Sequence, residues 1–477
     1  MSGDRRGTEP MQLFHRVLPK CFFRSYSVGI AFLLGLFFLS SSPLEAQAND
    51  EPITVSSEHP RLFLRPQRLR LLKRERERSS LRWQQFETLI NGNAPMPEPG
   101  FAQALFYQVA GNQDVGLKAV SFAFSANSDL RQQAIVFDWC QDLLSDAQKR
   151  ELALKLEKGI NAAAASDSVG IARSRVLAAI ALFDHVPKAP QLELERVVRT
   201  WWQGKVVASL KSGKSVIARD DAYPLLELLH AFRDNTLVDL REAAPRYFKD
   251  FPIEHLLSYY PAVFPGPDGE YYIGAERVPA EPDLRMAALS RSAELSMVAY
   301  DVNAPETQVL QGWLMHDKFI LHGTFGAPYE FLWANPYQPG LSYYHVPLVY
   351  YNADFGRLFV RSTWEDGAKW FGYFDGVMQL FEDGKASVVT PQNTTAPIPL
   401  DEAVICLAQT ARKFRVKLVE EDAVFLVGLE PHRSYLIEVD DEEIFESTAD
   451  PGGIIPLEVP RGKEVGIRIG AGPALVK

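Results

Sequence analysis

The spacing of apolar residues changes once along this chain, and that change restricts its fold class. From His59 to about Asp317 apolar positions recur at helical intervals, as Leu69, Leu72, Phe86, Leu89 and Ile90 do in the segment after Pro66, a residue suited to a first helical turn. Further helical runs are expected near 101–110, 115–126, 130–143, 145–164, 171–184, 190–211, 221–233, 237–249, 283–300 and 305–321, with Ser145 as an N-cap. Short connections pair them into stacked hairpins, and the absence of a fixed-period repeat favours a closed α/α toroid over an open solenoid. Beyond 353 the pattern alternates in twos. It predicts strands at Arg357–Arg361, Ala368–Phe374, Val377–Phe381, Ala386–Thr390, Lys413–Val419, Val424–Leu429, Ser434–Val439, Ile454–Val459 and Val465–Ile469. Residues 391–404 read as a loop. The expected fold is α+β and multidomain: an α/α toroid over 49–322, an aromatic-rich bridge over 323–352, and an antiparallel β-sandwich or half-sandwich over 353–477.

Residues 1–48 have the form of an export signal. Arg16, Lys20 and Arg24 precede the apolar run Val28–Leu39, and Ala46-Gln47-Ala48 gives a cleavage pattern, with Met11 as an alternative start. The apolar run is short for a bilayer span, so no stable membrane span is expected after processing, and the location expected is periplasmic or secreted. Without the leader the chain carries 45 basic and 57 acidic residues. A net charge of −12 argues against nucleic acid as a partner. Cys140 and Cys406 lack metal-ligand spacing, which leaves two buried thiols or one long-range disulfide, with thiols preferred. The histidines are scattered, so neither a metal nor a cofactor is expected.

Three segments carry a resemblance. His59-Pro60-Arg61-Leu62-Phe63-Leu64 leads into the first basic helix, Phe137-Asp138-Trp139 precedes a leucine-serine helix start, and Gly356-Arg357-Leu358-Phe359-Val360-Arg361-Ser362-Thr363-Trp364 opens the strand region. Together they resemble the heparinase II/III-like, alginate lyase-type polysaccharide lyases. The resemblance implies a toroid followed by a sandwich, and β-elimination on a uronic-acid-containing polysaccharide. Such chemistry needs a group to neutralise the uronate carboxylate and a Tyr or His to move protons. The chain departs from the family pattern in three places. Residues 165–170 hold Asp167 where an asparagine is typical, Ile273 replaces a glutamate, and no histidine occurs between His345 and His432.

The residues singled out for chemistry are Tyr271 and Tyr272, in the family-like loop Asp268–Gly274, and His230 on an apolar helix. Arg173, Arg175 and Arg219 offer positive charge for a uronate. Glu270, His345 and Trp333 are further substrate-binding candidates, and His255 is a core or catalytic histidine. Asp220 and Asp221 serve as helix caps, or as carboxylates partnering Asp268 or Glu270 in a glycoside hydrolase. The function expected is that of an exported polysaccharide lyase-like protein. The alternatives are a catalytically inactive glycan-binding protein of the same fold and a glycoside hydrolase on an α/α toroid.

Overall fold

A computed structural model describes residues 52–162, 168–266, 269–279, 281–317, 321–390, 396–418, 423–441, 443–460 and 462–471. The expected leader, Asp167 and Asp268 lie outside the described residues. The body from Pro52 onward is helical first and β-rich afterwards, as the periodicity requires.

The helices are α1 (Pro66–Glu77), α2 (Leu81–Asn91), α3 (Pro99–Ala110), α4 (Gln113–Phe124), α5 (Leu130–Trp139), α6 (Asp146–Ala162) and α7 (Val169–Leu182). Then come α8 (Ala189–Arg196), prolonged by a widely wound stretch Val197–Val207 into α9 (Ala208–Lys211), and α10 (Ala222–Thr236), α11 (Pro245–Leu257), α12 (Leu284–Tyr300), α13 (Pro305–His316) and α14 (Gly323–Trp333). Side-chain oxygens of Ser80, Asn112, Asp129, Ser168 and Asp283 cap five of these helices by accepting from backbone N–H groups of the first turn. Ser145 likewise accepts from the Gln148 N–H at the start of α6. The segment read as one helix after Pro66 is two, broken at Ser79, where φ is 49°.

Helices α3, α5, α7, α10, α12 and α14 pack side by side in that order, and α14 returns to α2 and α3, which closes the ring. Helix α10 is buried around nearly its whole circumference, as a member covered on both sides must be. The bridge expected from 323 therefore begins later, because Gly323–Trp333 is the helix that closes the ring. Its apolar positions include Pro328 and four aromatic residues on all sides, so no amphipathic stripe marks it in the sequence.

A hairpin, β1 (Tyr259–Gly266) with β2 (Gly269–Gly274), sits between α11 and α12. The remaining strands form three sheets. The first is the antiparallel meander β3 (Val349–Asn352), β4 (Arg357–Arg361), β5 (Trp370–Phe374), β6 (Val377–Glu382) and β7 (Lys385–Val388). The other two are built from β8 (Ile398–Leu400), β9 (Ala403–Leu407), β10 (Lys413–Lys417), β11 (Ala423–Val427), β12 (Ser434–Val439), β13 (Glu443–Thr448), β14 (Ile455–Leu457) and β15 (Glu464–Ala471). Their strand orders are β14-β11-β9-β8 and β10-β15-β12-β13.

The β region is thus more than one sandwich. Phe359, Trp370, Phe374 and Phe381 face the helical core, while Leu358, Val360, Phe371 and Tyr373 face Ile405, Phe425 and Val427 of the middle sheet. The other side of that sheet, with Val404, Cys406, Val424 and Leu426, packs on Phe414, Ile437, Val465 and Ile467 of the last sheet. A sheet buried on both faces has no polar side to alternate with. This is why Ala403–Leu407, a strand lying partly in the expected loop 391–404, carries no alternating signal; its β11 partner runs parallel to it rather than antiparallel. Cys140 and Cys406 are buried free thiols in separate cores. Among the described residues no helix is long and apolar enough to cross a membrane.

Candidate functional site at the helix–sheet junction

The hairpin strand β2 delivers the two tyrosines to different surroundings. Tyr272 is buried against Trp313, with ring centroids 4.7 Å apart, and its hydroxyl donates to Asp366 Oδ1 at 3.0 Å. Burial, reinforced by the Asp366 charge, raises the phenol above its usual range, the opposite of what a general base requires. Tyr271 is half-buried and, with exposed Glu270, lines a crevice of about 10 Å³ beside Arg291, too small for a sugar ring. Tyr272→Phe should therefore act on stability alone. We expect a loss of about 1.5–3 kcal/mol in urea unfolding, the scale of one hydrogen bond to a charged group.

His230 belongs to the ring core. Its imidazole packs on Trp333 (4.5 Å) and Tyr300 (4.8 Å), and Nε2 lies 3.0 Å from the Ser296 carbonyl. Burial lowers its pKa against the opposing pull of Asp234. Along α12, His230 meets Ser296 while Tyr271 and Tyr272 lie by Ala287 and Arg291. At 1.5 Å per residue these levels are roughly 7–14 Å apart, so the three expected catalytic groups do not converge. Trp333 is buried too, with Nε1 donating to the Tyr223 hydroxyl at 2.9 Å, and it offers no ring face for a polysaccharide to stack on. His345 is exposed in a short turn away from the junction cleft.

The arginines divide in the same way. Arg175 is buried on the outer side of α7 and paired with Glu193 of α8 at 2.5 Å. Arg173 is held at 2.6 Å from Glu227, a fully buried carboxylate that also receives Arg131 (2.6 Å) and the Tyr223 hydroxyl (2.8 Å). Burial would raise the Glu227 carboxyl, but Arg131 and Arg173 outweigh it and hold it down at about 2. This network joins α5, α7 and α10 and is structural.

Arg219 lies where a ligand could reach it. It precedes α10 and lines a cleft of about 550 Å³ between α11, the end of β2, and strands β4 and β5 of the first sheet. Its Nη1 donates to Ser258 Oγ and to the His255 carbonyl at 3.4 Å, and the guanidinium lies 4.3 Å from the centre of the Tyr259 ring. Nη2 has no hydrogen-bond partner among the described residues. The cation is seated on Gly274, where a Cβ would come within 1.9 Å of Arg219 Nε. Beside it, Arg277 is exposed and makes no ion pair among the described residues. Arg357, in contrast, is bound to Glu254 and, at 3.2 Å, to Asp375. Half-buried Tyr247 and Phe251, stacked at 5.5 Å, supply aromatic surface on one wall, and Asp220 and Glu276 add carboxylates at the rim. Asp221 turns away to accept from the Ala218 N–H as a cap. His255 reaches the same cleft, with Nε2 3.3 Å from the Tyr259 hydroxyl and 3.6 Å from Glu294.

Arg219 and His255 stand out in the sequence, but the cleft that contains them does not. Its far wall comes from strands some hundred residues later, and no local pattern links Phe359 or Phe374 to α11. Compared with known proteins, the chain matches no family model and no curated relative.

Proposed function

We propose that this is an exported glycan-binding protein that holds a uronate-containing polysaccharide in the junction cleft without cleaving it. The observation that carries the reading is the pairing of two guanidinium groups without a carboxylate partner among the described residues, Arg219 and exposed Arg277, with the aromatic wall of Tyr247 and Phe251. Guanidinium groups bind carboxylates in a fixed fork, and sugar rings stack on aromatic faces. The mixture of arginines and carboxylates suits a ligand rich in hydroxyls. The three segments resembling heparinase II/III-type lyases support the same substrate class, while the expected proton-transfer tyrosine and histidine are committed to the core.

A second reading, elimination at the uronate, is favoured by one observation: the His255–Tyr259 pair lies directly beneath Arg219. Burial, and then the Arg219 charge, keeps His255 well below its usual pKa and so neutral. One experiment separates the readings. The protein is mixed with alginate, heparin, hyaluronan and a neutral glucan, while binding is followed by calorimetry and unsaturated uronate by ultraviolet absorbance. We expect binding to an acidic glycan with no absorbance gain, weakened at least tenfold by Arg219→Ala and by Gly274→Ala, which displaces the same cation. Turnover abolished by Tyr259→Phe would establish the lyase reading, and no binding to any acidic glycan would reject both.

A further inference from the structure

A second cavity lies at the other level of the ring, between the start of α1 and the ends of α10, α12 and α14. Its volume is about 400 Å³, within the roughly 300–1,000 Å³ usual for small-molecule pockets. Three guanidinium groups reach it, those of Arg65, Arg68 and Arg233, against one carboxylate, Asp234. That carboxylate is already shared: Arg233 holds it at 3.0 Å, Arg65 at 3.5 Å, and His230 Nδ1 lies 3.9 Å away.

Arg68 is left over. It donates Nη1 to the Leu332 carbonyl at 3.0 Å and lies over the Trp333 ring at 4.8 Å, but forms no ion pair among the described residues. Burial, offset only in part by Asp234, pulls its pKa down to about 10. A half-buried cation without a counter-ion is costly, and an anion in the cavity would relieve that cost. The cavity also has a neutral polar wall. Gln338 donates to the Val302 carbonyl at 3.0 Å, while its Oε1 is buried with no hydrogen-bond partner among the described residues. An acceptor left open beside a cluster of cations calls for a ligand that carries both a negative charge and a hydroxyl donor. Phe63, Leu71 and Val302 complete an apolar floor.

We propose that this cavity is a binding site for a single sugar acid, its carboxylate gripped by Arg68 and Arg65 beside Arg233, which is already held by Asp234 and the Tyr300 carbonyl, and a hydroxyl received by Gln338. The site is separate from the junction cleft and does not depend on the function proposed for that cleft.

The test uses the whole protein and D-glucuronate, followed by calorimetry, with glucose and inorganic phosphate as comparison ligands. The expected result is saturable binding of glucuronate that weakens steeply with salt, at least tenfold weaker binding of glucose, and weaker binding of phosphate. Arg68→Gln should reduce glucuronate affinity at least tenfold. Should Arg68→Gln fail to fold, Arg65→Gln, at a largely exposed side chain, carries the test with an expected loss of threefold or more. Arg415→Gln, at an exposed side chain on β10, should leave this binding unchanged. The proposal is overturned if glucuronate does not bind, if phosphate binds as tightly, or if Arg219→Ala abolishes binding while Arg65→Gln does not.

Discussion

Glu227→Ala should destabilise the fold by about 3–5 kcal/mol, because it leaves two guanidinium groups facing an empty space inside the helical ring. Arg131 is as buried as the carboxylate it would lose, and its remaining contacts are Glu98 at 3.3 Å and the faces of Phe101 and Tyr329. None of these replaces a doubly hydrogen-bonded partner. The same network predicts a response to acid. The Glu227 carboxyl has a folded pKa of about 2 against an ordinary 4.5, so its stabilisation is fully present above pH 4.5. That stabilisation, on the order of 3 kcal/mol, is lost as pH falls from 4.5 through about 2. Urea unfolding across this interval measures both effects. A parent protein whose stability stays flat from pH 5 to pH 2.5, or a variant as stable as the parent, would refute the assignment.

Gly356→Ala should be among the most damaging single-methyl changes in the β region, at about 2–4 kcal/mol. Gly356 has φ +59°, and a Cβ there would lie 2.1 Å from the Gly452 nitrogen and 2.4 Å from its Cα. Backbone stands in the way, so no side-chain rotation can relieve the clash. Gly452 is constrained in return, since its own Cβ would meet the Gly356 carbonyl oxygen at 2.3 Å. Gly367→Ala provides the control: φ is +78° there, but nothing lies within 4 Å of the added atom. It should cost only the backbone term, about 1 kcal/mol. Equal losses for the two variants in thermal unfolding would show that the Gly356–Gly452 contact carries no weight.

Much of the architecture was legible because periodicity reports which faces are covered. Helices α5, α6, α7 and α12 and strands β4, β6 and β12 follow their expected spans closely. Where both faces of an element are covered, the periodic signal disappears: α14 read as an aromatic bridge and β9 as part of a loop. The candidate site was legible only in part, for a related reason. A polar residue type says nothing about whether its side chain is already engaged. Arg173, Arg175, Tyr272 and His230 looked available for a substrate, but each is held by a partner inside the molecule. Arg219 differs because Gly274 makes room for it beside open space, a relation between residues 55 positions apart.

The last two sheets are not successive in the chain. After β8 and β9 it leaves the middle sheet for β10, returns for β11, leaves for β12 and β13, returns for β14 and ends in β15. Neither sheet can be completed before the other, so the pair should open and close as a single cooperative unit. Strand β15 lies between β10 and β12, which makes the last described strand the keystone of a layer begun some fifty residues earlier. A nascent chain lacking it would present the apolar underside of the middle sheet to solvent, an aggregation-prone state.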